Sequence, residues 1–393
     1  MQILVINYEY PPIGGGGGFV TRDILEEIVN HGHQVTVVTS HFNKLAKKEE
    51  VNGVEIIRVP VFFRRELEVA NMPSMLSYFP SSVIHTLLCT EKRLKYDVIN
   101  THFAVPSGPA GHLISKFLNL PNVLSIHGGD IFDPSKSLSP HKSPIVSSVV
   151  QLMLNKADRI VAQSTDTKKN AYRYYRVHQK IEIIPLGIKK PVFKNATRDG
   201  FGLGQNDFVF CTIGRLIKRK NLSEFIEIFA EMKDRDELKL IIIGDGPERT
   251  SLEYCAQQNG VSDKVYFLGN VSDLTKFQLL DISDVYVSTA LHEGFGLVFL
   301  EAMECGLPVI CYDRGGQNDF LINGKTGFLA EFGNKKLFVD RILDIYSNKK
   351  LRDNISRFNK KLINDYYISS CAQKYLSLFK TVIREHRHIN RTP

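Results

Sequence analysis

A chain of 393 residues, 43% apolar and 23% charged, is too long for one core and too hydrophobic for a disordered segment, so two domains of under about 200 residues each are expected. The six cysteines form no CxxC pair and most lie within apolar runs, so they read as small buried residues in a reducing compartment. The net charge of +8 favours an anionic ligand or surface, and a nucleotide, a membrane leaflet and a nucleic acid would all satisfy it.

No apolar run reaches transmembrane length, and Met1–Asn7 is a short strand without the basic lead of a signal peptide. A cytoplasmic protein is expected, with any membrane contact peripheral and on the inner face.

In chain order, Gln2–Asn7 reads as a buried strand, followed by Pro11-Pro12-Ile13 and five consecutive glycines, Gly14 to Gly18. A helix is expected over Phe19–Asn30, with Val20, Ile24 and Ile28 at intervals of four. The next strand covers Gln34–Thr39, which completes a βαβ opening. Further strands are expected at Gly53–Val61, Asp97–Asn100, Val123–His127 and Arg159–Ala162, alternating with helices near Ser107–Leu118 and Ser147–Lys156. A strand-like run, Ile181–Ile184, leads to a domain junction near 186–204.

A second α/β series then runs through strands Phe208–Ile213, Lys239–Ile243, Lys264–Phe267, Asp284–Ser288 and Pro308–Cys311. Helices are expected at Asn221–Met232, Arg249–Asn259 and Phe299–Cys305, and a helical tail from Asn354 to about His386, with Glu385–Pro393 frayed. The fold class is therefore α/β, with mostly parallel, doubly wound sheets covered by helices on both faces.

Several strand ends carry chemistry. Gly15, Gly16 and Gly17 precede a helix N-terminus, where bare backbone amides can meet an anion or a polar acceptor; a structural glycine turn is the competing reading. His127 of His127-Gly128-Gly129-Asp130 can hydrogen-bond a sugar hydroxyl or a reacting phosphate, or be satisfied by backbone, and His102 ends a comparable strand. Asp130 and Asp133 lack a ligand set for a metal.

After Gly214, Arg215 and Lys220 flank the turn into the next helix, one forked cation and one point-like, as a diphosphate needs; a solvated basic face is the alternative. Asp245 reads as a turn residue. Glu293-Gly294-Phe295-Gly296-Leu297 follows a strand and Glu301 stands eight residues after Glu293, so two acids at a sheet edge can orient sugar or ribose hydroxyls. The alternative is a solvated loop acid and a helix-dipole acid at the start of its helix. Gly315-Gly316 leads to Asp319, placed on the sugar side. The basic and apolar stretch Arg64–Leu94 suits an anionic interface or a lipid-bearing acceptor, or an ordinary helix pair.

Taken together, Pro11-Pro12 with the glycine loop, His127-Gly128, Gly214-Arg215 with Lys220, Gly244-Asp245-Gly246-Pro247, Glu293 to Leu297 with Glu301, and Gly315-Gly316 resemble the retaining glycosyltransferases of family 4 (glycosyl transferases group 1). The resemblance implies the GT-B fold, two Rossmann-like domains facing across a cleft. It places an acceptor-side domain at 1–190, a nucleotide-sugar domain at 191–365 and a helix at 366–393 crossing back to the first.

It further implies a retaining hexosyltransferase with no cofactor and no essential metal. Arg215 and Lys220 would hold the diphosphate, Glu301 the ribose, and Glu293 would lie beside the donor sugar. His127 would touch that sugar from the first domain. Gly214, Gly294, Phe295, Gly296, Leu297 and Asp319 would complete the donor site, and Gly15, Gly16 and Gly17 the phosphate and acceptor side.

Two features depart from the family pattern: Asp319 where glutamate is frequent, and the extra glycines. The expected donor is GDP-mannose ahead of UDP-sugars, and the expected acceptor a glycan or a lipid-linked precursor at an anionic membrane surface. The competing functions are a sugar-nucleotide epimerase of the same architecture and a catalytically inert sugar-binding homologue. Nucleic acid is not an expected partner, because no zinc finger, helix-turn-helix or RNP-like aromatic pair accompanies the charge.

Overall fold

The computed structural model describes residues 1–67, 70–89, 96–135, 139–192 and 196–389. Lys92, Arg93 and Leu94 of the Arg64–Leu94 stretch, and residues 390–393, lie outside the described residues. The chain forms two units, Met1–Lys189 with Tyr367–Pro393, and Lys190–Tyr366.

The first unit is built on strands β1 (Gln2–Asn7), β2 (Gln34–Ser40), β3 (Lys48–Val51), β4 (Val54–Val59), β5 (Val98–His102), β6 (Asn122–Ile126), β7 (Arg159–Ala162) and β8 (Ile181–Ile183). They form one sheet in the order β3-β4-β2-β1-β5-β6-β7-β8. All neighbours are parallel except β3 and β4. Strand β5 and strand β6 are buried along their whole length, as a sheet covered on both faces requires.

The expected single strand Gly53–Val61 is one arm of an antiparallel hairpin. Asn52 and Gly53 both adopt positive φ, 50° and 78°, the pair of conformations a two-residue type I′ turn needs. The first helix covers Gly16–Asn30 and not Phe19–Asn30. Three glycines enter its first turn, and two of them have no room for a side chain: a Cβ on Gly17 would lie 2.9 Å from Phe103 and one on Gly18 2.9 Å from the Glu9 carbonyl, whereas Gly16 faces open space.

The expected tail helix is two helices, Lys349–Leu362 and Ile368–Ile389, separated by a 3₁₀ turn. The second continues through Glu385–Ile389, read from sequence as frayed, because it lies on the first unit: Arg387 pairs with Asp97 at 3.0 Å and Tyr375 donates to Ser125 Oγ at 3.1 Å.

The second unit carries β9 (Phe208–Ile213), β10 (Leu238–Ile243), β11 (Val265–Gly269), β12 (Val285–Ser288), β13 (Val309–Tyr312) and β14 (Gly327–Ala330), in the order β11-β10-β9-β12-β13-β14 and all parallel. One face is filled by Phe208, Phe210, Phe225, Phe229 and Phe338, with edge-to-face contacts such as Phe210–Phe229 at 5.6 Å between centroids.

In both sheets the chain winds outward from a central strand and then restarts on its other side. The reversal falls between β1 and β5 in the first unit and between β9 and β12 in the second. At such a switch point the loops leaving two adjacent strands diverge and leave a crevice at the carboxyl edge. In the second unit β9 and β12 pair only at Val285–Phe210 and Tyr286–Cys211. Beyond that the Tyr286 hydroxyl meets the Ile213 amide at 3.2 Å in place of the ladder.

Beside this crevice Gly244, at φ +123°, lies so close to Gly214 that a Cβ would stand 2.2 Å from the Gly214 carbonyl oxygen. Gly244→Ala is therefore expected to destabilise the protein by about 1–3 kcal/mol, the usual cost of forcing a methyl into a filled space. A urea midpoint equal to that of the wild type would contradict this.

Candidate active site

The loops after β9 and β12 bring two of the second unit's expected residues, Lys220 and Glu293, together. After Gly214 the chain makes a 3₁₀ turn at Lys218–Lys220, and Leu291 donates its amide to the Arg219 carbonyl at 2.8 Å. This places Lys220 Nζ 2.5 Å from Glu293 Oε1 and Arg219 Nη1 3.2 Å from Glu293 Oε2. Arg219 also donates to the His292 carbonyl at 2.6 Å.

Glu293 is 7% exposed, which rules out a solvated loop acid. Burial alone would push its carboxyl up, but Lys220 and then Arg219 outweigh that and hold it down at about 2. The cluster carries one negative and two positive charges, so it keeps an excess positive charge at the sheet edge. Arg219 is a site residue that reasoning from sequence assigns to a basic run rather than to the carboxylate.

Arg215 is not part of this ion cluster; its Nε is buried without a hydrogen-bond partner among the described residues. Gly214, at φ +153°, packs against the Lys220 side chain, 2.7 Å from where a Cβ would sit. Gly296, at φ +92°, caps the helix Leu297–Glu304, which begins two residues before the expected Phe299. Glu301 consequently lies in the second turn and not at the helix start, where a dipole-favoured acid would be.

Glu301 is held by Lys276, at 2.7 Å, from the helix Asp273–Asp281; Lys276 also reaches Asp273 at 3.0 Å. Nothing local to Glu301 in the sequence marks this partner. Phe295 is buried against Phe320, centroids 5.2 Å apart, which anchors the turn between the two acids. Glu293 bridges to Gly315, and the Gly316 amide donates to the Glu293 carbonyl at 2.8 Å. Asp319 ends the 3₁₀ turn that follows.

In the first unit His102, the last residue of β5, is wholly buried and faces His127 with Nδ1 to Nε2 at 2.9 Å. The Nδ1 of His127 is buried without a hydrogen-bond partner and lies 3.8 Å from where a Gly17 Cβ would be. Burial lowers His127 to about 4, against an opposing contribution from Gln163, so the ring is neutral at physiological pH. The histidine is thus not satisfied by backbone through its ring.

Asp130 spends its two oxygens on the amides of Ala104, at 2.7 Å, and His127, at 2.9 Å, and acts as a brace for these strand ends. Gly15 caps the first helix and its amide faces Glu9 Oε2 at 3.4 Å. The amides of Gly16 and Gly17 fall in the first turn, outside intrahelical bonding. Among the described residues no group of three or more His, Cys, Asp or Glu is placed to hold a metal ion.

Family models match both units: one described as Glycosyltransferase Family 4 over residues 14–190 and one as Glycosyl transferases group 1 over residues 193–362. The chain is 24% identical to N-acetyl-alpha-D-glucosaminyl L-malate synthase of Bacillus anthracis, over 96% of this chain and 97% of that protein. It is 25% identical to UDP-Gal:alpha-D-GlcNAc-diphosphoundecaprenol alpha-1,3-galactosyltransferase of Escherichia coli, with 96% and 97% covered. The Anabaena protein HepE, solved in complex with UDP-glucose, superposes with a TM-score of 0.77 at 20% identity, over 97% of this chain and all (100%) of that one.

The buried carboxylate yields a stability prediction. Glu293→Gln leaves Lys220 and Arg219 facing a neutral amide and is expected to cost about 3 kcal/mol at pH 7. Because the folded value of about 2 lies below the ordinary 4.5, the stabilisation is present above pH 4.5 and is lost as pH falls toward about 2. Urea midpoints of the two proteins should differ equally at pH 7 and pH 5 and converge below pH 4.5. A gap that persists undiminished at pH 3 would contradict the assignment.

Proposed function

Since the chain belongs to the group 1, family 4 glycosyltransferases of GT-B fold, which act on sugar donors, we propose that it transfers a hexose from a nucleoside-diphosphate sugar to a hydroxyl of a glycan or lipid-linked acceptor. The observation that carries this reading is the buried Lys220–Glu293–Arg219 cluster at the switch point of the second unit. A diphosphate entering there meets Lys220, Arg215 and the excess positive charge. Glu293 beside the sugar orients its hydroxyls and offsets positive charge near the anomeric carbon. Glu301, paired with Lys276, accepts from ribose hydroxyls.

In the transfer the anomeric carbon–oxygen bond breaks with its electron pair going to the diphosphate. Lys220 and Arg215 stabilise the charge that develops there, with no resident metal. The acceptor oxygen attacks the same face and gives its proton to the departing phosphate, so configuration is retained. This route asks for no enzyme nucleophile paired with a general acid, as a glycosidase would need.

His127 and the glycine loop belong to the sugar and acceptor side. Glu9 already faces the Gly15 amide, which favours a neutral acceptor over a phosphate at Gly15, Gly16 and Gly17. The motif behind the GDP-mannose expectation, His127 to Asp130, spends Asp130 on bracing and so carries no information about guanine. The name of the Escherichia coli protein includes a UDP-sugar and the Anabaena protein was solved in complex with one, which supports a UDP-sugar over GDP-mannose.

A lipid-linked acceptor is supported by the helix Met72–Cys89 and the loop before it. Phe63, Leu76 and Leu88 are 77%, 68% and 78% exposed, an apolar surface suited to the edge of a membrane. Arg64 is committed elsewhere, donating to the Leu67 carbonyl at 2.9 Å and lying over Tyr8. No helix among the described residues is long and apolar enough to cross a membrane.

The test is nucleotide release from UDP- and GDP-sugars in EDTA, with and without saccharide and prenyl-linked acceptors. Acceptor-dependent release of UDP is expected. Lys220→Met should lower kcat by about 10²–10³, the usual cost of removing one group that stabilises the developing charge. Release that needs no acceptor would favour the epimerase reading, and no release from any donor an inert homologue.

A further inference from the structure

The hydrogen-bond partners around the histidine pair of the first unit imply a proton order that starts at Asn100. The carboxamide nitrogen of Asn100 donates to the Val123 carbonyl and to Ser125 Oγ, both at 3.0 Å. A backbone carbonyl only accepts, so the nitrogen lies on that side and Oδ1 lies on the other. Oδ1 is 2.8 Å from His102 Nε2, which must therefore carry the hydrogen.

Neutral His102 then has its lone pair on Nδ1. Two groups face that lone pair, His127 Nε2 at 2.9 Å and Thr21 Oγ1 at 3.2 Å. The Thr21 proton is already given to the Gly17 carbonyl at 2.8 Å. His127 Nε2 is left as the donor, and the lone pair of His127 falls on Nδ1, the buried atom without a partner beside Gly17.

We propose that Asn100 and His102 are positioning residues that fix His127 as a one-way hydrogen-bond acceptor, so that this position takes a sugar hydroxyl and rejects a carboxylate or phosphate oxygen. A hydroxyl brings the proton that the lone pair lacks. An anionic oxygen brings only a second lone pair, which at a buried site is repelled. The donor of the hydroxyl is either the nucleotide sugar or the acceptor. Tyr375 of the C-terminal helix, donating to Ser125 Oγ, extends the same chain of hydrogen bonds outward from Asn100.

This inference rests on the proposed transfer for its substrate, while its proton order can be measured without any substrate. Nitrogen-15 histidine spectra of the full chain, with His127 assigned by loss of its signals in His127→Gln, should show a protonated Nε2 and a bare Nδ1 at neutral pH. In Asn100→Leu the same ring should populate both tautomers, and kcat/KM should fall about fivefold, the scale of one neutral hydrogen bond. A wild-type His127 protonated at Nδ1, or an unchanged tautomer in folded Asn100→Leu, overturns the proposal.

Competition binding of UDP-glucose and UDP-glucuronate distinguishes the two sources of the hydroxyl. If it belongs to the donor sugar, the wild type prefers UDP-glucose and His127→Gln loses that preference. If it belongs to the acceptor, the preference is the same in both proteins and His127→Gln loses turnover alone. Failure to bind either compound would count against the proposed transfer and leave the tautomer result standing.

Discussion

A carboxylate held by two cations at the edge of a parallel sheet is the constraint from which the rest of the second unit follows. Glu293 is buried, and an uncompensated charge there would cost several kcal/mol. Its partners come from a loop more than seventy residues earlier in the chain, so the cluster exists only where β9 and β12 are neighbours. The strand order provides that adjacency, and Gly244, Gly214 and Gly296 let the intervening loops close. The cations exceed the carboxylate by one, which leaves an excess positive charge in the crevice.

The first unit meets the same topological problem with a pair of neutral rings. Its switch point lies between β1 and β5, and the groups that meet there are His102, Thr21, the glycine turn and, just after β6, His127. Burial keeps both rings neutral. Specificity at such a site comes from the direction of its hydrogen bonds and not from Coulomb attraction. The two crevices therefore differ in chemistry: one carries an excess positive charge, the other neutral hydrogen-bonding rings.

Much of this was legible in the sequence because strand ends announce themselves. Apolar runs closed by Gly214, Gly244, Gly128 or Gly315 mark the carboxyl edges, and polar residues just beyond them are candidates by position alone. Glu293 and Lys220 emerge in this way.

Arg219 does not, because its role depends on a 3₁₀ turn that places adjacent basic residues against one carboxylate. Lys276 is invisible for a different reason: it approaches Glu301 from another helix, and no local pattern encodes that contact. The Asn52-Gly53 hairpin was available in principle, since that dipeptide favours a type I′ turn, but a continuous apolar run obscured it. The glycine loop reads as an irregular segment because glycine disfavours helix, and only the crowding by Phe103 and Glu9 shows why the first turn needs Gly17 and Gly18.

The most direct measurement of the central claim is the binding isotherm of UDP to the folded wild-type protein and to Lys220→Met, in EDTA and at fixed ionic strength. If the charged crevice of the second unit is the diphosphate site, the wild type binds saturably and the variant loses at least about tenfold in affinity, the effect of one buried charge-assisted contact. Equal affinity in the two proteins, both folded, would contradict the account and detach the Glu293 cluster from donor binding.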